Sequence, residues 1–138
     1  MKEKIKKYPF STLCITVVWV LCLMPVPETP LNDISMIDKW THLVMWGGTC
    51  GTIWVEYIRN HRGKAFSWRK LFLWAWFAPA LMSGVIELAQ AYCTFGMRSG
   101  DWFDFLANTL GCTLAALPFI LYTKFFLNTK TQRSQSFF

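Results

Sequence analysis

The sequence predicts an all-α polytopic membrane protein with four transmembrane helices and both termini in the cytoplasm. Four apolar stretches are each about as long as the roughly 20 helical residues that cross a hydrocarbon core. The 138 residues are 54% hydrophobic and 17% aromatic. A water-soluble domain of this size and composition would expose more apolar surface than water tolerates. We therefore expect one membrane domain that spans residues 1–138.

The first two helices are predicted at about residues 8–26 and 38–58. A lysine-rich start followed by an apolar segment is also typical of a signal peptide. Pro25 and Pro27 follow directly, however, and no small-residue cleavage site is present, so an uncleaved anchor is favoured. The second stretch carries His42 near its start and Glu56 near its end.

The last two helices are predicted at about residues 71–92 and 103–126, with a frayed polar tail at 128–138. Pro79 and Pro118 lie inside them, where proline removes a backbone hydrogen bond and bends a helix. The five cysteines show no metal-ligand spacing. They are interpreted as small hydrophobic side chains, with a disulfide between Cys22 and Cys93 as the alternative.

The orientation follows from the basic residues. Of the 14 Lys and Arg residues, 12 precede helix 1, lie between helices 2 and 3, or follow helix 4. Only Lys39 and Arg98 fall on the other side, together with most of the acidic residues. The positive-inside rule then places both termini in the cytoplasm. Anionic lipid headgroups, and not nucleic acid, are the partners expected for the basic segments.

Helical spacing places small and polar residues on shared faces. The stripe on helix 3 consists of Ala80, Ser83, Gly84, Glu87 and Gln90, and the stripe on helix 4 of Asp104, Asn108, Gly111 and Ala115. We expect these two stripes to face each other, with their polar groups toward the outside. On helix 2 the polar face holds Asp38, His42, Thr49 and Glu56, and Gly47 and Gly51 lie on roughly the opposite face.

The polar ends of helices 2, 3 and 4 predict one pocket that opens to the extracytoplasmic side. His42, Glu87 and Asp104 are the candidates for acid–base chemistry, because charged groups this close to a bilayer core are costly to keep. The candidates for substrate binding are Asp38, Lys39, Gln90, Arg98, Asp101 and Asn108. No cofactor and no metal are predicted, because tight ligand spacing is missing.

Each candidate also has a structural alternative. His42 can bond Asp38 one turn away, Arg98 can anchor at the interface by pairing with Asp101, and Asn108 can hold helices together. Lys39, at what we expect to be the exposed end of helix 2, should matter less. A metal version of the pocket would use His42 with Glu87, Asp101 and Asp104.

The order of these residues resembles a known family. The pattern reads Asp38-Lys39-x-x-His42, then Glu87-x-x-Gln90, then Arg98-x-x-Asp101-x-x-Asp104-x-x-x-Asn108-x-x-Gly111. It is similar to the VanZ-like family of small bacterial membrane proteins, named after a teicoplanin-resistance factor. The resemblance implies a multi-pass protein of the bacterial cytoplasmic membrane with a role in the cell envelope, and it implies no defined biochemical activity.

Three functions remain open on the sequence. The first is an enzyme or binding protein acting on a lipid headgroup or a lipid-linked cell-wall precursor at the outer leaflet. The second is a small transporter that works as a homodimer, with Glu87 as its proton-coupling carboxylate. The third is a membrane subunit that binds a partner and performs no chemistry.

Overall fold

The computed structural model describes residues 7–25, 36–61, 67–95 and 100–135, with side chains up to residue 122. Within these ranges all regular secondary structure is helical, as the sequence predicts. The helices are α1 (Pro9–Leu23), α2 (Ile37–Asn60), α3 (Trp68–Cys93) and α4 (Trp102–Gln135).

The helix bounds lie within three residues of the predicted ones, except at the end of α4. The prediction of a frayed tail from residue 128 is wrong, because the helix continues to Gln135. Between Pro118 and Gln135 the sequence contains neither glycine nor proline. Polar residues of reasonable helix propensity can therefore extend the preceding apolar segment without a break.

The helices alternate in direction. Ser11 near the start of α1 contacts Glu56 near the end of α2, and Gln90 near the end of α3 contacts the end of α1. His42 of α2 meets Asn108 of α4, and Gly47 further along α2 meets Gly111 further along α4, so these two helices are parallel. The starts of α2 and α4 therefore lie at one end of the bundle, beside the ends of α1 and α3. We call this the polar end.

The start of α1 is held by a side chain from another helix. The Glu56 carboxylate accepts hydrogen bonds from the backbone amides of Phe10 and Ser11 at 3.1 and 2.9 Å, and one from Ser11 Oγ. The first amides of a helix have no partner inside it, and their dipole favours an anion. Glu56, which is buried, thus joins α1 to α2 at the end opposite the polar end.

A π-turn precedes the proline of α3. Residues Leu73–Phe77 form it, and the Ala78 amide bonds the Leu73 carbonyl. Pro79 lacks an amide hydrogen, and its ring would crowd the carbonyl four residues earlier. The wider turn relieves this crowding, and the helix continues to Cys93. The disturbance expected at Pro79 thus takes the form of a π-turn.

Two apolar clusters fill the interior. The one nearer the polar end contains Val18, Cys22, Trp46, Cys50, Ile86 and Cys112, and the other contains Ile53, Trp54, Tyr57, Leu71, Ala75 and Ala116. None of the five cysteines, all of which lie in the described residues, forms a disulfide, so the alternative of a bond between Cys22 and Cys93 is wrong. Cys22 is buried and Cys93 is exposed.

The closest helix packing joins α2 to α4 at glycine residues. A Cβ on Gly47 would lie 3.2 Å from the Gly111 carbonyl oxygen, and a Cβ on Gly111 would overlap the Leu43 carbonyl. The expected pairing of Gly111 with the α3 stripe is therefore wrong. Gly84 of α3 instead packs against the Phe105 ring. Since α4 contacts both α2 and α3, different faces of it meet each neighbour.

The distribution of side chains is the reverse of that in a water-soluble protein. Buried polar residues include Ser11, His42, Thr49, Glu56, Ser83, Glu87, Gln90, Asp104 and Asn108. Large apolar side chains cover the outside, among them Val44, Leu81, Leu88, Leu110, Leu114 and Leu121. Among the described residues, Trp68–Cys93 and Trp102–Tyr122 are long and apolar enough to cross a membrane. Such an outer surface suits contact with lipid.

We expect Gly111→Ala to lower the free energy of unfolding by about 1–3 kcal/mol, because the added methyl group forces α2 and α4 apart. Gly51→Ala is the matched control, since nothing lies within 4 Å of the position that its added methyl group would take. It should be neutral or slightly stabilising, because alanine favours helix. Thermal unfolding of both variants in the same detergent measures the difference. Equal melting temperatures would contradict the close contact.

Candidate functional site

A chain of hydrogen bonds joins three helices at the polar end. His42 Nδ1 of α2 lies 2.9 Å from Asn108 Oδ1 of α4, and Asn108 Nδ2 donates to Glu87 Oε1 of α3 at 3.3 Å. The backbone amide of Asp101 donates to Glu87 Oε2 at 3.2 Å. His42, Glu87 and Asn108 are all buried. The Glu87 carboxylate therefore uses both oxygens inside the protein, which offsets the cost of its burial.

These hydrogen bonds determine which nitrogen of His42 carries the proton. Because the Asn108 amide nitrogen donates to Glu87, the Asn108 oxygen faces the imidazole and must accept from it. Nδ1 is thus the donor, and in the neutral ring Nε2 carries the lone pair. Nε2 lies 3.8 Å from Asp38 Oδ1 and 3.9 Å from Asp104 Oδ2. Both distances exceed hydrogen-bond reach, so the alternative of a direct bond from His42 to Asp38 is not formed.

Lys39 bridges two aspartates of the loop and helix that follow α3. Its ammonium lies 2.6 Å from Asp101 Oδ2 and 2.6 Å from Asp104 Oδ1, and 4.0 Å from Asp38 Oδ2. Its side chain is 24% exposed, so Lys39 is more buried than its place at the expected exposed end of helix 2 indicated. The parallel packing of α2 and α4 brings the first turns of both helices together.

The hydrogen bond from Lys39 holds the pKa of the Asp101 carboxyl below its usual range. A lowered pKa means that Asp101 is ionised at neutral pH and stays so into mild acid. The stabilisation from this ion pair is present above the ordinary pKa of an aspartate. It is lost as the pH falls through the lowered value.

Gly100 permits the loop to pass over the end of α3. A Cβ at this position would overlap the Glu87 carbonyl and lie 3.1 Å from the Ala91 Cβ. Without a side chain there, the chain approaches closely enough for the next amide, that of Asp101, to reach Glu87. Gly100 is not among the site residues predicted from the sequence. A glycine one position before an acidic helix start was the available signal.

One predicted site residue, Gln90, is placed differently from the rest, and another lies outside the described residues. Gln90 turns toward α1, where its amide nitrogen donates to the Cys22 carbonyl at 2.7 Å. It thereby ties α1 to α3, and its role in binding stays a prediction. Arg98 lies outside the described residues, so its pairing and function stay predictions as well.

A cavity of about 250 Å³ opens beside this cluster, between α3 and α4. Its walls are lined by Gly84, Glu87, Leu88, Ala91, Tyr92, Gly100, Asp101, Trp102 and Phe105. Two carboxylates and three aromatic rings thus surround one opening. His42 and Asp104 do not line this cavity. His42 is connected to its wall through Asn108 and Glu87.

His42, Glu87, Asp104 and Asn108 lie together, as predicted, in one connected cluster with Lys39 and Asp101. The prediction that they line one cavity is wrong, because among the predicted residues that the structure describes only Glu87 and Asp101 line it. The residues that offer ligand atoms within 4.8 Å of one another are Asp38, His42 and Asp104. This set differs from the alternative proposed on the sequence. Asp38 joins the set, and Glu87 and Asp101 drop out of it. The Glu87 oxygens bond Asn108 and the Asp101 amide, and the Asp101 oxygens bond Lys39 and the Phe103 amide.

We expect Lys39→Met to lower the free energy of unfolding by about 2 kcal/mol at neutral pH, because it leaves the buried Asp104 carboxylate without a cation. In a background of Asp104→Asn the same change should cost clearly less. Thermal unfolding of the wild type, both single variants and the double variant tests this. Additive effects would show that Lys39 and Asp104 do not stabilise each other.

A family profile described as VanZ/LLP1 matches residues 12–126. That range contains the whole polar cluster and most of α1 to α4. Neither the curated proteins nor the solved structures contain a match. On the extent of the family match, the chain belongs to the VanZ/LLP1 family.

Proposed function

We propose that the protein crosses the bacterial cytoplasmic membrane four times, with both termini in the cytoplasm. Its polar end then faces outward and binds or modifies the headgroup of a lipid or a lipid-linked cell-wall precursor in the outer leaflet. The observation that carries the proposal is the buried chain from His42 through Asn108 to Glu87. It stands beside a cavity at one end of an otherwise apolar bundle.

The cost of this cluster supports a functional role. Ionisable side chains are expensive inside a membrane protein and are kept mainly where they bind or react. Packing alone does not require them here, since Gly47 and Gly111 already bring α2 and α4 together. Apolar side chains at the polar end would hold the helices at lower cost.

The position of the cavity supports a lipid ligand. Tyr92 and Trp102 lie at its mouth and are 83% and 76% exposed. Exposed Tyr and Trp rings at helix ends are typical of the level of the lipid headgroups. A headgroup in the cavity would leave its acyl chains along the apolar outer surface of α3 and α4, formed by side chains such as Leu88 and Leu110.

The charges of the described cluster bear on the headgroup. The described cluster contains four carboxylates, those of Asp38, Glu87, Asp101 and Asp104, and a single ammonium, that of Lys39. This excess of negative charge favours a headgroup with an ammonium group, which aromatic rings also attract. A phosphate or carboxylate would need Arg98, which remains the candidate for that contact.

The geometry permits acid–base chemistry at the cavity wall. Glu87 lines the cavity, and through Asn108 it is linked to the imidazole of His42. Glu87 could accept a proton from a bound ligand or return one to it, and its hydrogen bond with Asn108 would change with its protonation. Asp104 would influence the other nitrogen of His42 from 3.9 Å. A modified or shielded precursor would reduce access for a glycopeptide antibiotic such as teicoplanin.

The transporter alternative is less well supported. Between Asn108 and Glu56 the described interior is filled by Trp46, Cys50 and Cys112. The hydroxyls of Thr49 and Ser83 in this region bond carbonyls of their own helices. A transport site is expected near the midplane, along a polar path. The partner-binding subunit remains the interpretation to adopt if no ligand is found.

The orientation predicts the result of reporter fusions. A fusion at Pro27 should report an extracytoplasmic position, and one at Gly63 a cytoplasmic position, because 12 of the 14 basic residues flank the inner side. An alkaline phosphatase and a fluorescent reporter at each site provide mutual controls. The opposite result would place the polar end in the cytoplasm and exclude an outer-leaflet ligand.

We expect Glu87→Gln to abolish lipid binding while the protein still inserts and folds. The amide keeps the size of the side chain but removes the titrating charge that faces the cavity. Native mass spectrometry of the purified protein measures the lipid that remains bound, and teicoplanin susceptibility measures the cellular effect.

The matched control is Glu56→Gln, which makes the same change in a buried carboxylate at the opposite end of the bundle. It should lower stability yet leave the bound lipid in place. Arg98→Ala distinguishes the headgroups, since it should matter only for an anionic one. Unchanged lipid binding in Glu87→Gln, at matched protein levels, would favour the partner-binding subunit.

A further inference from the structure

We infer that Asp38, His42 and Asp104 form a binding site for one divalent metal ion at the polar end. This departs from the sequence-based expectation of no metal. It does not require that the neighbouring cavity binds lipid. The site is built from two residues one turn apart on α2 and one residue on the first turn of α4.

The imidazole supplies the first argument. His42 is 3% exposed, and its Nδ1 donates to Asn108, so the lone pair of Nε2 points at Asp38 and Asp104. Among the described residues, none donates a hydrogen bond to His42 Nε2, Asp38 Oδ1 or Asp104 Oδ2. A histidine that binds a metal usually donates its other N–H to an oxygen that holds the ring in place. Asn108, itself held by Glu87, provides that oxygen here.

The carboxylates divide their oxygens in the way a metal site requires. Asp104 presents Oδ1 to Lys39 and Oδ2 to His42, and Asp38 presents Oδ2 toward Lys39 and Oδ1 to His42. The ammonium thus lies on the far side of both carboxylates. Two anionic oxygens and one lone pair then face each other, an arrangement that a dication would stabilise.

The distances are close to those of a filled site. Donors about 2.0–2.2 Å from a shared ion are separated by roughly 3–3.6 Å. The structure has 3.8 and 3.9 Å from Nε2 to the two oxygens, with all three atoms within 4.8 Å. The Asp38 side chain is 57% exposed on the first turn of α2. A rotation of this side chain can close the remaining gap and leave a position open to solvent.

The donor set indicates the class of metal. One imidazole nitrogen with two carboxylate oxygens suits Mn²⁺, Fe²⁺ or Zn²⁺ better than the all-oxygen sites of Ca²⁺ or Mg²⁺. Mn²⁺ is the better probe, because the protein has an exposed thiol at Cys93 that would compete for Zn²⁺.

The test is a titration of the full-length, chelator-treated protein in a neutral detergent with Mn²⁺, followed by electron paramagnetic resonance. We expect one ion per chain and a pulsed-resonance coupling to one imidazole nitrogen. Asp38→Asn and His42→Ala should each weaken binding about tenfold or more, and Asn108→Ala should weaken it by a similar factor through the loss of ring orientation. His61→Gln is the matched control, since that histidine bonds its own helix at the other end.

Asp38 lies at the surface, so Asp38→Asn should fold normally even where His42→Ala does not. Absence of a stoichiometric ion in the wild type would overturn the inference, as would binding unchanged by Asp38→Asn. Lipid measured on the same samples separates the two proposals: metal binding without bound lipid, or lipid binding without metal, would refute only one of them.

Discussion

The close contact between α2 and α4 at Gly47 and Gly111 governs the polar end of this protein. Because the two helices are parallel and nearly touch at this point, residues one turn or more toward their starts lie opposite each other. His42 meets Asn108, and Lys39 meets Asp101 and Asp104. In a lipid environment such contacts depend on how closely backbones can approach. A pair of glycines therefore sets the spacing of ionisable groups that lie five to ten residues away.

The two ends of the bundle use buried polar groups in different ways. At one end the Glu56 carboxylate binds backbone amides and the hydroxyl of α1, so all of its partners are structural. At the polar end the ionisable groups contact one another, namely Lys39, His42, Glu87 and Asp104. Glu87 also lines the cavity, and Nε2 of His42 faces Asp38 and Asp104 without a hydrogen bond to either. A carboxylate fully satisfied by backbone stabilises the fold. Carboxylates clustered with other titratable groups keep the capacity to bind a cation or exchange a proton.

Helix α3 links these features. Its π-turn accommodates Pro79 and lets the helix continue. The segment that follows buries Ser83, Glu87 and Gln90 in the interior. Gln90 then joins the end of α1, while Glu87 joins α4 and the loop after Gly100. The same face of one helix thus serves packing and the candidate site. Whether a residue on this face serves packing or the candidate site depends on which neighbouring helix lies opposite its turn of α3.

The sequence by itself determined the helical class, the helix positions and the residues of the polar cluster. Apolar length and helical periodicity are local properties that neighbours in sequence define. The partners were decided by tertiary structure. Gly111 meets α2 instead of α3, and Lys39 is part-buried between two aspartates instead of exposed. Asp38 lies beside Nε2 of His42, in place of Glu87 and Asp101. Periodicity shows which residues share a face of one helix, but the rotation and depth of each helix against its neighbours arise from packing between distant segments.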